Sequence, residues 1–280
     1  MKVTATVLET REIIRQWKKD GFTIGFVPTM GFLHEGHASL IAKCREENDK
    51  VVVSIFVNPT QFGVNEDLDS YPRDFKRDAA LCEKMGADLI FHPEPEEMYQ
   101  DACTMVNITT LPDHLCGKTR PTHFKGVCTV VTKLFNIITP HNAYFGEKDA
   151  QQLAIIKKMV TDLNFDIRIV GCPIIREEDG LAKSSRNTYL NEAERRAALC
   201  LSQAVKKGQQ IIFQGCDSKM VLQQMGEIIQ KEPLAELDYL SVVDALTMQP
   251  VEQVEKPVLV AMAVYIGKTR LIDNFIFVQE

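Results

Sequence analysis

The sequence carries no positive surplus to offer a nucleic acid. Its 32 Lys and Arg stand against 38 Asp and Glu, a net charge of -6, and no dense basic run occurs, which excludes an electrostatic footprint for a phosphate backbone. There is no CxxC pair. The eight cysteines are scattered rather than crowded into a short segment, which argues against a disulfide framework and for buried or idle thiols of a reducing cytosol. The stretch MKVTATVLETREIIRQWKK lacks an apolar signal core, and no run reaches membrane-spanning length. Neither an internal repeat nor a low-complexity tract is present. These absences lead us to expect a cytoplasmic, soluble protein without nucleic-acid or membrane partners.

What is there is an ordinary globular composition: 280 residues, 45% hydrophobic and 25% charged, enough for one large or two modest domains. Hydrophobic periodicity predicts a helix over 10–19 with Ile13, Ile14 and Trp17 inward, then a strand over 22–27. A helix over 38–48 follows, with Leu40, Ile41 and Cys44 on one face. The near-continuous apolar run 51–57 reads as a strand covered on both faces. A helix over 74–85 and a strand over 88–92 complete a βαβαβ pattern, which predicts a parallel sheet with right-handed crossovers. Residues 93–100 read as an acidic surface loop and 104–109 as an extra strand. The clearest helical stripe is Val127, Val130, Val131, Leu134, Phe135 and Ile138 within 124–138. A strand over 142–146, a helix burying Leu153, Ile156, Val160 and Leu163, and a strand over 165–170 come next. The alternation stops at 174–179. Beyond it, Asn191 and Glu194 form a capping signature for a long helix to Phe213, and 218–230 is another helix. Strands over 237–243, 258–266 and 271–278, the last two joined by a hairpin at 267–269, make an α+β domain of about a hundred residues.

Four loops hold the chemistry. In PTMGFLHEGH, residues 28–37, a strand enters a two-glycine turn and a helix leaves it. His34 and His37, three apart, share a helical face, where open backbone N–H groups and the helix dipole favour an anion. Two imidazole donors there suggest a triphosphate rather than zinc, for which no third ligand stands at suitable spacing. The alternative is a pair of helix-capping histidines. NPTQF, residues 58–62, lies at a strand's carboxyl end, where open α/β sheets bind ligands. Asn58 and Gln61 offer amides suited to hydroxyls and a carboxylate, or else Asn58 makes an Asx-turn with Pro59. In GEKDAQQ, residues 146–152, Lys148 is within reach of a phosphate and Asp149 of a ribose hydroxyl. The alternative there makes Asp149 an N-cap and Lys148 a solvated charge. KSSRN, residues 183–187, sets hydroxyls beside positive charge, a chemistry for oxyanions, or forms a disordered basic turn.

Taken together and in this order across 28–190, PTMGxLHxGH, NPxQF, GEKDxQQ and SSRN resemble the pantoate–β-alanine ligase family. The HxGH element is also similar to the wider nucleotidyltransferase superfamily, class I aminoacyl-tRNA synthetases included. The resemblance implies an α/β fold: a Rossmann-like parallel-sheet nucleotidyltransferase domain over 1–175 that binds ATP and pantoate, and a smaller α+β C-terminal lid domain over 176–280. It implies that pantoate attacks the ATP α-phosphate, releasing pyrophosphate, and that the amine of β-alanine then attacks the pantoyl adenylate, giving pantothenate and AMP. ATP contacts would come from Met30, Gly31, His34, His37, Gly146, Lys148, Asp149, Ser184, Ser185 and Arg186. Of these His34, His37, Lys148, Ser184, Ser185 and Arg186 would be catalytic. Pantoate would be held by Gln61, Gln152 and the Met30 backbone, with Asn58 orienting the turn. Arg120, in RPTHF, falls in a further matching segment, within the site or at its rim. Mg²⁺ would bridge the β and γ phosphates without protein ligands, and the enzyme would be a homodimer. The adenylate needs shelter from water, so a mobile lid is expected, and no general base for the amine step is evident. Lys183 departs from an expected apolar residue and Ala150 from an expected aromatic. Rival readings are another nucleotidyltransferase of this fold, a synthetase relative, against which the acidic balance argues, and a nucleotide sensor without turnover.

Overall fold

Short apolar runs pair into two separate sheets in the computed structural model, which describes residues 1–64, 66–212, 217–254 and 257–278. The chain runs through β1 (Lys2–Thr4), α1 (Val7–Lys19), β2 (Ile24–Thr29), α2 (Glu35–Glu47), β3 (Lys50–Ile55), α3 (Phe75–Lys84), β4 (Leu89–Phe91) and α4 (Pro95–Tyr99). Next come α5 (Leu115–Thr119), α6 (His123–Ile138), β5 (Asn142–Gly146), α7 (Ala150–Asp162) and β6 (Arg168–Cys172). The remainder holds α8 (Glu192–Ala197), α9 (Leu199–Ile212), α10 (Ser218–Gln230), β7 (Ala235–Asp244), β8 (Val258–Ile266) and β9 (Thr269–Phe277).

The first sheet has the order β1-β4-β3-β2-β5-β6, and every pairing is parallel. From β2 the chain builds outward through β3 and β4, then returns to lay β5 on the other side. β2 and β5 therefore flank the topological switch point, and their carboxyl ends are where a ligand crevice is expected. The second sheet, β7-β8-β9, is antiparallel.

By their internal contacts the residues group into two compact units, one of 1–108, 122–147 and 155–173, the other of 109–121, 148–154 and 174–280. The first buries Val27, Ile41, Val51, Val53, Ile90 and Tyr144 in one cluster, and α6 buries the whole stripe expected of it, from Val127 to Ile138. The second packs Ala204, Val205, Val221 and Met225 of α9 and α10 against Val260, Met262 and Val264 of β8. Each core thus follows the period of its own element.

Several local expectations change. Residues 93–100 are not a plain loop, because Pro95 starts α4 and Met98 is buried beneath it. Residues 104–109 form no strand. The backbone N–H of Val106 donates instead to Thr129 Oγ1 of α6 at 2.9 Å, so the segment is tied to the helix and joins no ladder. Leu163 lies past the end of α7 and is exposed. The Asn191–Glu194 capping box is formed, but the helix it starts breaks at Ala198 into α8 and α9; Phe213 lies outside the described residues. β1 was not expected, since three residues carry no periodicity, and its partner β4 alone defines it.

Candidate active site

In the first unit the turn after β2 is pinned from beneath. Thr29 Oγ1 donates to the Ser54 carbonyl and accepts from Gly31 N. Gly31 has φ +87, and a Cβ there would meet Asp78 Oδ2 and Ile55 Cγ2 at 3.0 Å. Phe32 follows at φ 50, a left-handed conformation costly for a residue with a side chain. What holds it is Asp78 of α3, 1% exposed, whose two carboxylate oxygens accept from Phe32 N and Leu33 N at 2.7 Å each. Burial raises the pKa of this carboxyl, while the two N–H bonds pull it back. Arg77 adds its guanidinium over the Phe32 ring and a bond to the Leu33 carbonyl.

His34 then caps α2. Gly36 N donates to His34 Nδ1 at 3.1 Å, and His34 N donates to His37 Nδ1 at 3.3 Å. The rings lie tilted with centroids 4.1 Å apart. The capping alternative is therefore realised, and it does not exclude phosphate binding. A neutral imidazole whose Nδ1 accepts carries its proton on Nε2, so each ring keeps a donor on the edge turned away from the backbone.

Asn58 makes no Asx-type cap. It is 1% exposed: Oδ1 accepts from the Tyr99 and Thr60 hydroxyls, and Nδ2 donates to Gln61 Oε1 at 3.0 Å and to the Gly126 carbonyl. Gln61 Nε2 donates to Met30 Sδ at 3.0 Å. Met30, Asn58 and Gln61 are thus brought together, whereas direct ligation by Asn58 meets an amide already bonded on all sides. The loop is braced by α6, whose His123 Nδ1 donates to the Gln61 carbonyl at 2.9 Å. Gly126 of the same helix lies so close that a Cβ would fall 2.3 Å from the Thr60 carbonyl oxygen. Gly146 closes β5 beside β2 in the sheet, and a Cβ on it would meet no atom within 4 Å.

The second unit holds the cationic residues. Lys148 lies in a single 3-10 turn, Glu147–Asp149. Its side chain is only 20% exposed, which is not a solvated surface charge, and its Nζ lies 4.0 Å from Asp149 Oδ2. Asn274 Nδ2 of β9 holds the Lys148 carbonyl at 2.8 Å. Of the two glutamines that follow, Gln151 is buried and spent on Gly117, Leu111 and His114, leaving Gln152, half-buried, as the one suited to a ligand. The SSRN loop is ordered structure rather than a disordered turn: Ser184 caps the 3-10 turn Ser185–Tyr189 by accepting from Arg186 N. Upstream, Arg176 pairs across to Ala182 and forks onto the buried Asp273 at 2.7 and 2.9 Å. Lys183 lies 3.7 Å from Glu177, and the Arg120 side chain lies beside Cys116.

Asp78, Tyr99, Gly126 and Asn274 escape the motif reading, and His123 entered it only as part of RPTHF, without a role of its own. Asp78 alone leaves a trace, a carboxylate four residues before the apolar Cys82 on the buried face of α3.

The family model described as pantoate-beta-alanine ligase matches residues 2–276. The chain is 61% identical over 282 residues to a pantothenate synthetase of Ruminiclostridium cellulolyticum, covering 100% of both chains, and 58% identical over 279 residues to one of Clostridium botulinum, covering 99% of each. The crystal structure of pantothenate synthetase from Thermus thermophilus superposes with a TM-score of 0.94 at 42% identity, covering 98% of this chain and 99% of that one. The Francisella tularensis pantoate-beta-alanine ligase, complexed with beta-gamma ATP and beta-alanine, gives 0.80 at 35% identity, covering 98% of this chain and 97% of that one. With the family model spanning nearly every residue and full-length relatives at this identity, the chain belongs to the pantoate–β-alanine ligase family.

Proposed function

We propose that this chain condenses pantoate with β-alanine through a pantoyl adenylate, and that the residues above divide the work as follows. The carboxylate of pantoate, ionised at neutral pH, attacks the α-phosphorus of ATP, and pyrophosphate leaves with the bond electrons. This step asks for in-line positioning and for charge neutralisation, not for a proton. His34 and His37 donate from Nε2 to the nucleotide phosphates. Lys148 neutralises charge at the α-phosphate, and Ser184, Ser185 and Arg186 donate to the outer phosphates, with Lys183 and Arg120 adding positive charge nearby. ATP would enter as its magnesium complex, the ion supplying further charge neutralisation to the phosphates. Met30, Gly31 and Gly146 let the nucleotide approach the backbone, and Asp149 accepts from the ribose. Gln61 and Gln152 hold pantoate, with Asn58 behind Gln61. The neutral amine of β-alanine then attacks the acyl carbon, AMP leaves, and solvent takes the amine proton. In this reading residues 1–175 bind ATP and pantoate, and 176–280 act as a lid that excludes water from the adenylate. The enzyme works as a homodimer in the cytoplasm, where the seven described cysteines, all free, stay reduced.

The observation that carries the reading is the pair of imidazoles at the start of α2 with both Nδ1 atoms tied to backbone N–H, which commits both outer nitrogens to donation. The test is ATP–pyrophosphate exchange with and without pantoate. Exchange is expected only when pantoate is present, and Lys148→Ala is expected to slow it by about 10²–10³-fold, as for one lost charge-stabilising donor. Exchange driven equally well by unrelated acids, or untouched by Lys148→Ala, overturns the assignment.

A further inference from the structure

A glutamine that binds an acid must present its N–H₂ end, and nothing in a lone side chain prevents the amide from turning over. Around Gln61 the turn is settled by a directional chain of hydrogen bonds that begins outside every motif. Tyr99, at the end of α4, donates its hydroxyl proton to Asn58 Oδ1 at 2.6 Å, and Thr60 Oγ1 donates to the same oxygen at 3.0 Å. The Gly126 carbonyl can only accept, so the end of Asn58 between the two hydroxyls is its oxygen and the opposite end is the N–H₂. That end gives its protons to the Gly126 carbonyl at 3.3 Å and to Gln61 Oε1 at 3.0 Å. Gln61 therefore turns its oxygen toward the protein and its nitrogen toward Met30. Reversing Asn58 would set its oxygen against the Gly126 carbonyl and Gln61 Oε1, and reversing Gln61 would set two N–H₂ groups against each other, at buried positions where unmatched polar groups are expensive.

We infer that Tyr99 is a positioning residue for the known reaction, which through Asn58 fixes the amide of Gln61 with its donors toward the acid substrate. The site then selects for an acceptor, a carboxylate or a hydroxyl oxygen, at that point. The phenol is suited to this role. Its ring is packed against Phe56 with Lys133 over its face, and burial raises its pKa, keeping the proton that starts the chain. The inference rests on the assignment of Gln61 to pantoate.

Tyr99→Phe deletes only the hydroxyl and leaves the ring in place. In ATP–pyrophosphate exchange it is expected to raise the KM for pantoate about fivefold, the equivalent of about one hydrogen bond, with the KM for ATP unchanged. Gln61→Ala raises the pantoate KM further, and adding Tyr99→Phe to it is expected to change nothing more, since the hydroxyl acts only through that amide. Thr60→Val, which removes the second donor, is expected to reproduce the Tyr99→Phe effect. An unchanged pantoate KM in Tyr99→Phe overturns the inference, as does an equal additional loss in the Gln61→Ala background. If Gln61→Ala itself leaves the pantoate KM untouched, it is the assignment of Gln61 that fails, and the inference falls with it.

Discussion

His34 has two nitrogens and, on the proposed function, a separate task for each. Nδ1 accepts from Gly36 N as a helix cap, and Nε2, protonated in consequence, is the donor assigned to phosphate. Asparagine is a strong N-cap residue whose Oδ1 can take the place of Nδ1, yet it has nothing at the position of Nε2. His34→Asn should therefore melt within about 0.5 kcal/mol of the parent, while His34→Ala should lose about 1 kcal/mol. Both should slow exchange by about 10²-fold, the effect of one missing donor. Thermal melts and exchange rates on the same samples check this; equal activity in His34→Asn and the parent would show capping to be the whole role. The two imidazoles were legible from their spacing alone. Their tautomers were not, because a tautomer is set by whichever backbone group reaches the other nitrogen. Asp78 was hidden for the same reason, its partners at 32 and 33 lying 46 and 45 residues away.

Between elements, the distance that matters is between α6 and the turn Pro59–Gln61. A methyl on Gly126 would need the Thr60 carbonyl to move, so Gly126→Ala, which ordinarily strengthens a helix interior, is expected here to cost about 2 kcal/mol as overpacking. It should also raise the KM for pantoate by shifting Gln61. Urea unfolding and steady-state kinetics test the two halves separately, and a stabilised variant would refute the close contact. Sequence periodicity found α6 and its apolar stripe, since six buried positions repeat at helical spacing. It saw in Gly126 only a poor helix former. The failures at 95–99 and 104–109 have a shared cause: one turn of helix or a segment outside any ladder buries too few side chains to display a period.

Across the molecule, the continuous apolar runs of β2 and β3 announced a covered parallel sheet, and the four loop strings announced the family. That 109–121 and 148–154 group with 174–280 rests on bonds such as Gln151 to Gly117 and Asn274 to Lys148, which no sequence window contains. The scattered cysteines belong to this scale too. Burial pushes the thiols of Cys82, Cys128 and Cys200 up to about 12 and that of Cys172 up to about 11, well above the ordinary value of about 8.5. At pH 8, alkylation read by peptide mapping is expected to label exposed Cys103 first and these four only on unfolding. Because the unfolded chain gives up those protons earlier, stability should be full below about pH 8.5 and fall as pH rises toward 12, visible as a declining urea midpoint; a flat midpoint would contradict the burial. One tether carries a consequence for synthesis. Asn274 leaves the ribosome 126 residues after Lys148, so a nascent chain, however complete its parallel sheet, holds its lysine turn unanchored until β9 has been made. Competence to activate pantoate should arrive abruptly once β9 has emerged, and stalled or clipped chains ending before β9 should bind poorly and turn over nothing.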